Sequence, residues 1–183
     1  MAAPSVLIPL AEGFEELEAI TIIDLLRRAE IEVVVAGLTD GPIVASRGTR
    51  HLADLSLDEA LQRKYEMVIL PGGLPGADHL NADPRIRALV QQMAAEDQYV
   101  AAICAAPKVL ADAGVLSGRE ATSYPGFLQQ TDAVVVEDRA VVVDGKVVTS
   151  RGPGTAMDFA LTLIGLLMGA EQREAVEAPL VRN

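Results

Sequence analysis

Apolar residues in this chain follow two rhythms. Short, nearly unbroken runs rich in Val, Ile and Leu recur at "SVLIPL", "EVVVAGL", "MVILPGG" and "YVAAIC". Such runs have the length of strands covered on both faces. Between them the apolar positions fall three and four apart, the helical spacing. At roughly 100° per residue, Ala19, Ile22, Ile23, Leu25, Leu26 and Ala29 line one broad side of a helix predicted from about residue 15 to residue 28. "DPRIRALVQQMAAE" opens with Asp83 and Pro84, suited to the N-cap and first-turn positions, and continues as a helix. "APKVLADAG" predicts a helix stopped at Gly114, and "GTAMDFALTLIGLLMG" a strongly apolar one ending at Gly169. A short tail helix follows.

Two stretches read differently. Residues 39–56 carry Gly41, Pro42 and Gly48 between short alternating runs, which predicts a small hairpin. "AVVVEDRAVVVDGKVVTS" has β-branched runs separated by the pairs Glu137-Asp138 and Asp144-Gly145, so hairpin-like strands are expected at both. "PGGLPGADHL", after the third strand, reads as a glycine loop. The alternation of strand and helix implies a parallel sheet sandwiched by helices. With no linker, repeat or low-complexity segment, residues 1–183 are read as one domain.

Composition adds limits. Hydrophobic residues make up 50% of the 183 and aromatics 3%, so the core must be built of aliphatic side chains. A net charge of −11 argues against nucleic acid or an anionic membrane as partner. No run approaches the roughly 18 apolar residues of a membrane span. The N-terminal apolar run is short and lacks a basic lead, so no signal peptide is expected. With one cysteine an internal disulfide is excluded, and a cytoplasmic location is the expectation.

That cysteine, Cys104, ends the fourth strand and begins a helix, among Ala101, Ala102, Ala105 and Ala106. A nucleophile on a strand-to-helix turn looks like this, with small neighbours and a helix N-terminus that would lower the thiol pKa well below about 8.5. A buried, inert thiol looks the same. Glu15 and Glu18 bear on the choice, because both project on the apolar side of the first helix while Glu16 lies at its edge. A desolvated Glu18 would have a raised pKa and could exchange a proton with a thiol. The simpler reading leaves acids of the first turn in water, complementing the helix dipole. "SRGPGT" opens another helix and could bind an anion through its N–H groups and Arg151, or be a tight connection. His51 and His79 show no metal-ligand spacing, and no metal is expected.

In combination, "EGFEELEA", "DLLRRA", "VAGL", "ASRG", "VILPGG", "AAICAAP", "TSRGPGTAMDFAL" and "APLV" resemble the ThiJ/PfpI superfamily, in its parkinsonism-associated protein deglycase (DJ-one) branch, over the whole chain. The resemblance implies a flavodoxin-like three-layer sandwich with a mostly parallel central sheet, like that of class I glutamine amidotransferases. It implies a homodimer formed through the first helix. By position, Cys104 matches the reactive cysteine and Glu18 the acid that hydrogen-bonds it, with Glu15 in the same pocket. Gly72, Gly73 and Ala105 match backbone donors facing the cysteine, and Arg47 and Arg151 match basic residues near the pocket. Tyr124 stands where animal members carry a histidine, which puts a Cys–His–acid triad in doubt. Ala105 follows the cysteine where protease-like relatives have histidine, so peptidase activity is not expected.

The activity implied is that of a glyoxalase or deglycase that needs no cofactor. Its substrates would be methylglyoxal, glyoxal and their early adducts on glycated groups. The alternatives are an oxidative-stress sensor whose cysteine oxidises to sulfinate, and a chaperone-like protein.

Overall fold

In the computed structural model, which describes residues 3–182, the chain begins with β1 (Ser5–Leu10), α1 (Glu16–Arg28) and β2 (Glu32–Gly37). Three short strands follow, β3 (Ile43–Val44), β4 (Arg50–His51) and β5 (Leu55–Ser56), and then the single turn α2 (Leu57–Ala60). Next come β6 (Met67–Leu70), α3 (Gly76–Ala82), α4 (Pro84–Ala95), β7 (Tyr99–Ile103) and α5 (Pro107–Asp112). The remainder is β8 (Glu120–Ala121), β9 (Val134–Val135), β10 (Val141–Asp144), β11 (Val147–Ser150), α6 (Ala156–Met168) and α7 (Ala170–Glu177).

Seven strands form the central sheet in the order β10-β11-β7-β6-β1-β2-β5. All neighbours run parallel except the β10–β11 hairpin. Both faces of the sheet are buried, which is why its strands read as continuous apolar runs. The period of two along each strand then sorts the side chains into two layers. Val6, Ile8, Leu10, Ile69, Ala101 and Ile103 pack with Ile22, Leu26, Phe159 and Leu163 of α1 and α6. Leu7, Val34, Val68, Leu70, Val100 and Ala102 pack on the other side with Leu80, Ile86, Val90 and Leu110 of α3, α4 and α5. The result is the expected three-layer sandwich with a mostly parallel central sheet. Ile22 alone, fully buried, contributes about 1.5–3 kcal/mol of transfer free energy.

Most element ends follow local chemistry. Asp83 caps α4 by accepting from the Arg85 N–H at 2.9 Å. Gly114 and Gly169 adopt φ of 79° and 90° just past α5 and α6, as chain reversal after a helix requires. The hairpin expected in residues 39–56 is β3–β4, and the one at Asp144-Gly145 is β10–β11.

Three expectations need correction. The Glu137-Asp138 pair makes no hairpin: β9 pairs in parallel with β8, in a small separate sheet. "PGGLPGADHL" is not all loop. Its second half is α3, docked by the Gly76 N–H on the Gly13 carbonyl at 3.2 Å and by the buried Ala77 and Leu80. Glu15 lies outside α1 as its N-cap, accepting from the Leu17 N–H at 3.0 Å.

The chain places β1 beside β2, then crosses to the other side of β1 for β6. At such a reversal the loops beyond the strand C-termini part and leave a crevice. The turns after β1, β6 and β7 all open there.

Candidate active site

β7 delivers Cys104 to this crevice. Cys104 has φ of 64°, in the left-handed region that non-glycine residues avoid. A conformation of this kind costs about 1–3 kcal/mol and persists only where the surroundings enforce it. Here they do: the Cys104 N–H donates to the Ser150 carbonyl at 3.0 Å, and its carbonyl accepts from the Tyr124 N–H at 2.8 Å. The flanking alanines are all buried, leaving room for this sharp turn.

Glu18, on the first turn and a half of α1, is fully buried on the sheet side of the helix. Its Oε2 accepts from the Gly72 N–H at 2.9 Å, while its Oε1 is buried without a hydrogen-bond partner. The Cys104 thiol faces the same carboxyl group. Burial raises the Glu18 pKa to about 7; the Cys104 and Gly72 hydrogen bonds oppose the shift and the Glu15 charge adds to it.

The glycine loop after β6 is what lets these groups meet. A Cβ on Gly72 would stand 2.6 Å from the Cys104 Cβ and 2.7 Å from Glu18 Oε2, so only glycine fits between them. The Gly72 carbonyl accepts from the Glu15 N–H at 2.9 Å, locking the loop to the start of α1.

The thiol pKa corrects the sequence reading. It is not lowered but pushed up to about 12, first by burial, then by the charge of Glu18 and its hydrogen bond. The backbone N–H groups of Gly73 and Ala105 work the other way and are outweighed. The helix that was to lower it, α5, spans only six residues and begins three positions beyond the cysteine. The resting pair is therefore a thiol beside a carboxyl group that titrates near neutrality. The three expected backbone donors divide the work, Gly72 serving Glu18 while Gly73 and Ala105 serve the sulfur.

The remaining candidates sit around this centre at different removes. Tyr124 is held to Cys104 through its backbone. Its ring is half-exposed and rests edgewise on Phe127, centroids 6.3 Å apart. The exposed Arg151 lines a separate cleft of about 180 Å³ with Thr122, Ser123, Gln129 and Glu137. Arg47 lies in the β3–β4 turn, its backbone N–H donating to Glu16 at 3.0 Å. Glu16 also accepts from the Ser46 and Thr49 hydroxyls, at 3.1 Å each, so it clasps that hairpin to α1. Sequence reasoning missed this clasp, although the Ser, Thr and backbone donors of "ASRGT" are the partners a first-turn carboxylate takes. It also missed Gly152, which the "SRGPGT" turn sets beside the thiol. A larger cavity, about 690 Å³, lies at the opposite end of the sheet near Lys146 and Arg119, away from Cys104. Among the described residues no cluster of three His, Cys, Asp or Glu side chains is arranged to hold a metal ion. No helix among them is long and apolar enough to cross a membrane.

Residues 4–166 match the DJ-1/PfpI family. The chain belongs to that family. It is 43% identical over 180 residues to Protein dj-1beta of Drosophila melanogaster, covering 97% of this chain and 96% of the relative. The crystal structure of Drosophila DJ-1beta superposes with a TM-score of 0.95 at 42% identity, over 98% of each chain. Protein DJ-1 homolog B of Arabidopsis thaliana is 41% identical over 172 residues, 92% of this chain but only 39% of that longer protein. A Caenorhabditis elegans relative named glutathione-independent glyoxalase DJR-1.2 is 33% identical over 170 residues, 92% of this chain and 91% of the relative.

Proposed function

We propose that this DJ-1/PfpI member is a glyoxalase that needs no cofactor and acts on methylglyoxal and glyoxal, with deglycase-type action on their early adducts through the same residues. The name of the C. elegans relative supports the reaction class. The observation that carries the reading is the fully buried Glu18 carboxyl, anchored through one oxygen by Gly72, unpartnered at the other and facing the only thiol.

The chemistry follows from the pair. Ionised Glu18 takes the thiol proton as Cys104 sulfur bonds to the aldehyde carbon. The carbonyl electrons move onto oxygen, beside the N–H groups of Gly73 and Ala105, and Glu18 returns the proton there to give the hemithioacetal. Glu18 next removes the hydrogen of the former aldehyde carbon and delivers it to the neighbouring carbonyl carbon, while the hemithioacetal hydroxyl proton passes to that carbonyl's oxygen, leaving a thioester that bears the new hydroxyl group. Water cleaves the thioester, releasing lactate or glycolate and restoring the thiol. The sum is dicarbonyl plus water to hydroxy acid, with no net oxidation. Cys104→Ser and Glu18→Gln should each remove most lactate formation from methylglyoxal. Unchanged rates in either would end the proposal.

A second reading is oxidation of Cys104 to sulfinate, whose oxygens the Gly73 and Ala105 N–H groups and protonated Glu18 could bind. Mass spectrometry after mild peroxide tests it, and no gain of two oxygens at Cys104 would exclude it. For assembly, the exposed Leu17 and Ile20 on α1 support a homodimer through that helix. Leu17→Asp should leave a monomer by sedimentation if that face is the contact.

A further inference from the structure

Between β8 and β9 the chain forms a strap that touches Cys104. It is anchored at one end by the Thr122 N–H, which donates to Thr149 Oγ1 at 2.9 Å, and further along by the buried Leu128. The turn between these anchors, residues 124–127, has little support of its own. Among the described residues, the only hydrogen bond reaching it from outside the strap runs from the Tyr124 N–H to the Cys104 carbonyl, at 2.8 Å. That bond is one of the two that keep Cys104 in its left-handed conformation. Strain in that conformation favours release, so whatever steadies the turn also sets how often Cys104 relaxes.

Lys108 supplies a steadying contact. It lies four positions after Cys104, on α5, and its ammonium stands over the Phe127 ring, 5.6 Å from the centroid. The negative face of an aromatic ring attracts a cation at this range. Phe127 closes the turn on Tyr124: its N–H donates to the Tyr124 carbonyl at 3.3 Å, and its ring meets the tyrosine edgewise. Asp78, on α3, pairs with the same ammonium. α3 continues the loop that carries Gly72 and Gly73, so Lys108 joins the two segments that touch the cysteine. Its side chain is only 20% exposed, and the ring contact is correspondingly stronger than one made in open water. We infer that Lys108 is a positioning residue: through Phe127 and Tyr124 it holds the backbone of Cys104, and so sets the reactivity of the thiol whichever reaction the thiol carries. Without the ammonium the 124–127 turn opens more often, the Tyr124 N–H leaves the Cys104 carbonyl, and the cysteine relaxes. The sulfur then departs from Glu18, whose charge and hydrogen bond restrain its ionisation in the closed state. Relaxation makes the thiol more open to reagents and less fit for turnover.

Alkylation by iodoacetamide reads this directly, sulfur displacing iodide while the thiol proton leaves to solvent. Lys108→Met keeps the apolar stem and loses the charge. It should react roughly tenfold faster than wild type, and an unchanged rate overturns the inference. A lysine that merely stabilised the fold would speed alkylation through global unfolding, at a rate that climbs steeply with urea. Opening one turn exposes little surface, so the excess rate should stay nearly constant in urea below the unfolding transition. A steep climb overturns the positioning role. Phe127→Leu removes the ring face and keeps apolar bulk. In that background Lys108→Met should add less than about twofold, because both changes act on one contact; a tenfold effect in both backgrounds overturns the route through Phe127. Asp78→Asn should give a smaller rise in the same direction, and no rise would remove Asp78 from the assignment. None of these rates needs turnover. If wild-type protein forms no lactate, the glyoxalase reading fails while the alkylation series still decides the role of Lys108.

Discussion

Glu18→Gln should stabilise the protein above neutral pH while abolishing its proposed chemistry. The Glu18 carboxyl is fully buried and titrates at about 7, against 4.5 for an unburied group. At about 1.36 kcal/mol per pH unit, holding it ionised in the folded state costs on the order of 3 kcal/mol. The sign follows from proton counts. Below pH 4.5 both states are protonated and nothing is lost. Between 4.5 and about 7 the unfolded chain has released the proton and the folded one has not, so stability falls as pH rises. Above about 7 the whole cost is present. Glutamine is near-isosteric, keeps an oxygen for the Gly72 N–H and does not titrate. Urea unfolding of wild type and variant from pH 4 to 8 should therefore show a difference that grows by about 2–3 kcal/mol in favour of the variant, most of it between 4.5 and 7. The Cys104 pKa should fall in the variant, since two causes raising it, the Glu18 charge and its hydrogen bond, are gone. Thiolate absorbance measures that directly. A difference in stability independent of pH, or a thiol pKa that rises in the variant, would refute the picture of a buried carboxyl shared with the thiol.

Other outcomes follow from the same geometry. The kcat/KM for methylglyoxal should rise with pH through about 7 as Glu18 reaches its basic form, and a profile flat from pH 6 to 8 would exclude Glu18 as the base. Gly72→Ala forces a Cβ within 2.6 Å of the Cys104 Cβ and 2.9 Å of the Ile103 carbonyl oxygen; chemical denaturation should show a loss of about 1–3 kcal/mol, with turnover abolished. Glu16→Ala removes the acceptor for Ser46, Arg47 and Thr49, and should loosen the β3–β4 hairpin by about 1–2 kcal/mol, read as faster amide exchange at Arg47. Ile22→Ala, at the centre of the α1–sheet contact, should cost about 2–5 kcal/mol in the same denaturation assay.

The sequence was most informative where structure is set locally. The spacing of Ala19, Ile22, Ile23 and Leu26 on α1 and the runs of β1, β2, β6 and β7 reflect burial that each element carries in its own residues. Cys104 and Glu18 could be picked out for the same reason, one by its place at a strand end, the other as a carboxylate on an apolar face. What escaped depends on distant partners. β9 lies where it does because Val134 and Val135 pair with Glu120 and Ala121, a pairing no turn signal announces. α3 forms in a glycine-rich stretch because Gly76 can approach the Gly13 backbone. The thiol pKa ran opposite to expectation because the carboxylate and burial that raise it come from α1 and the Gly72 loop, whereas local sequence displays only the helix that would lower it. The clasp of Glu16 on residues 46–49 likewise joins segments about thirty positions apart.

The backbone bonds that fix Cys104 have a consequence for synthesis. Its two clamps, Tyr124 and Ser150, are both C-terminal to it, the second by 46 residues. A ribosome making this chain exposes Glu18, the glycine loop and the cysteine before either clamp exists. Until Ser150 has left the exit tunnel and β11 has docked, the Cys104 N–H has no acceptor and its left-handed turn is not held. The cysteine's reactivity in the nascent chain is thus set before its turn is fixed, and a thiol-selective label applied to stalled chains of graded length would report, as a change in rate, the moment at which β11 docks beside β7.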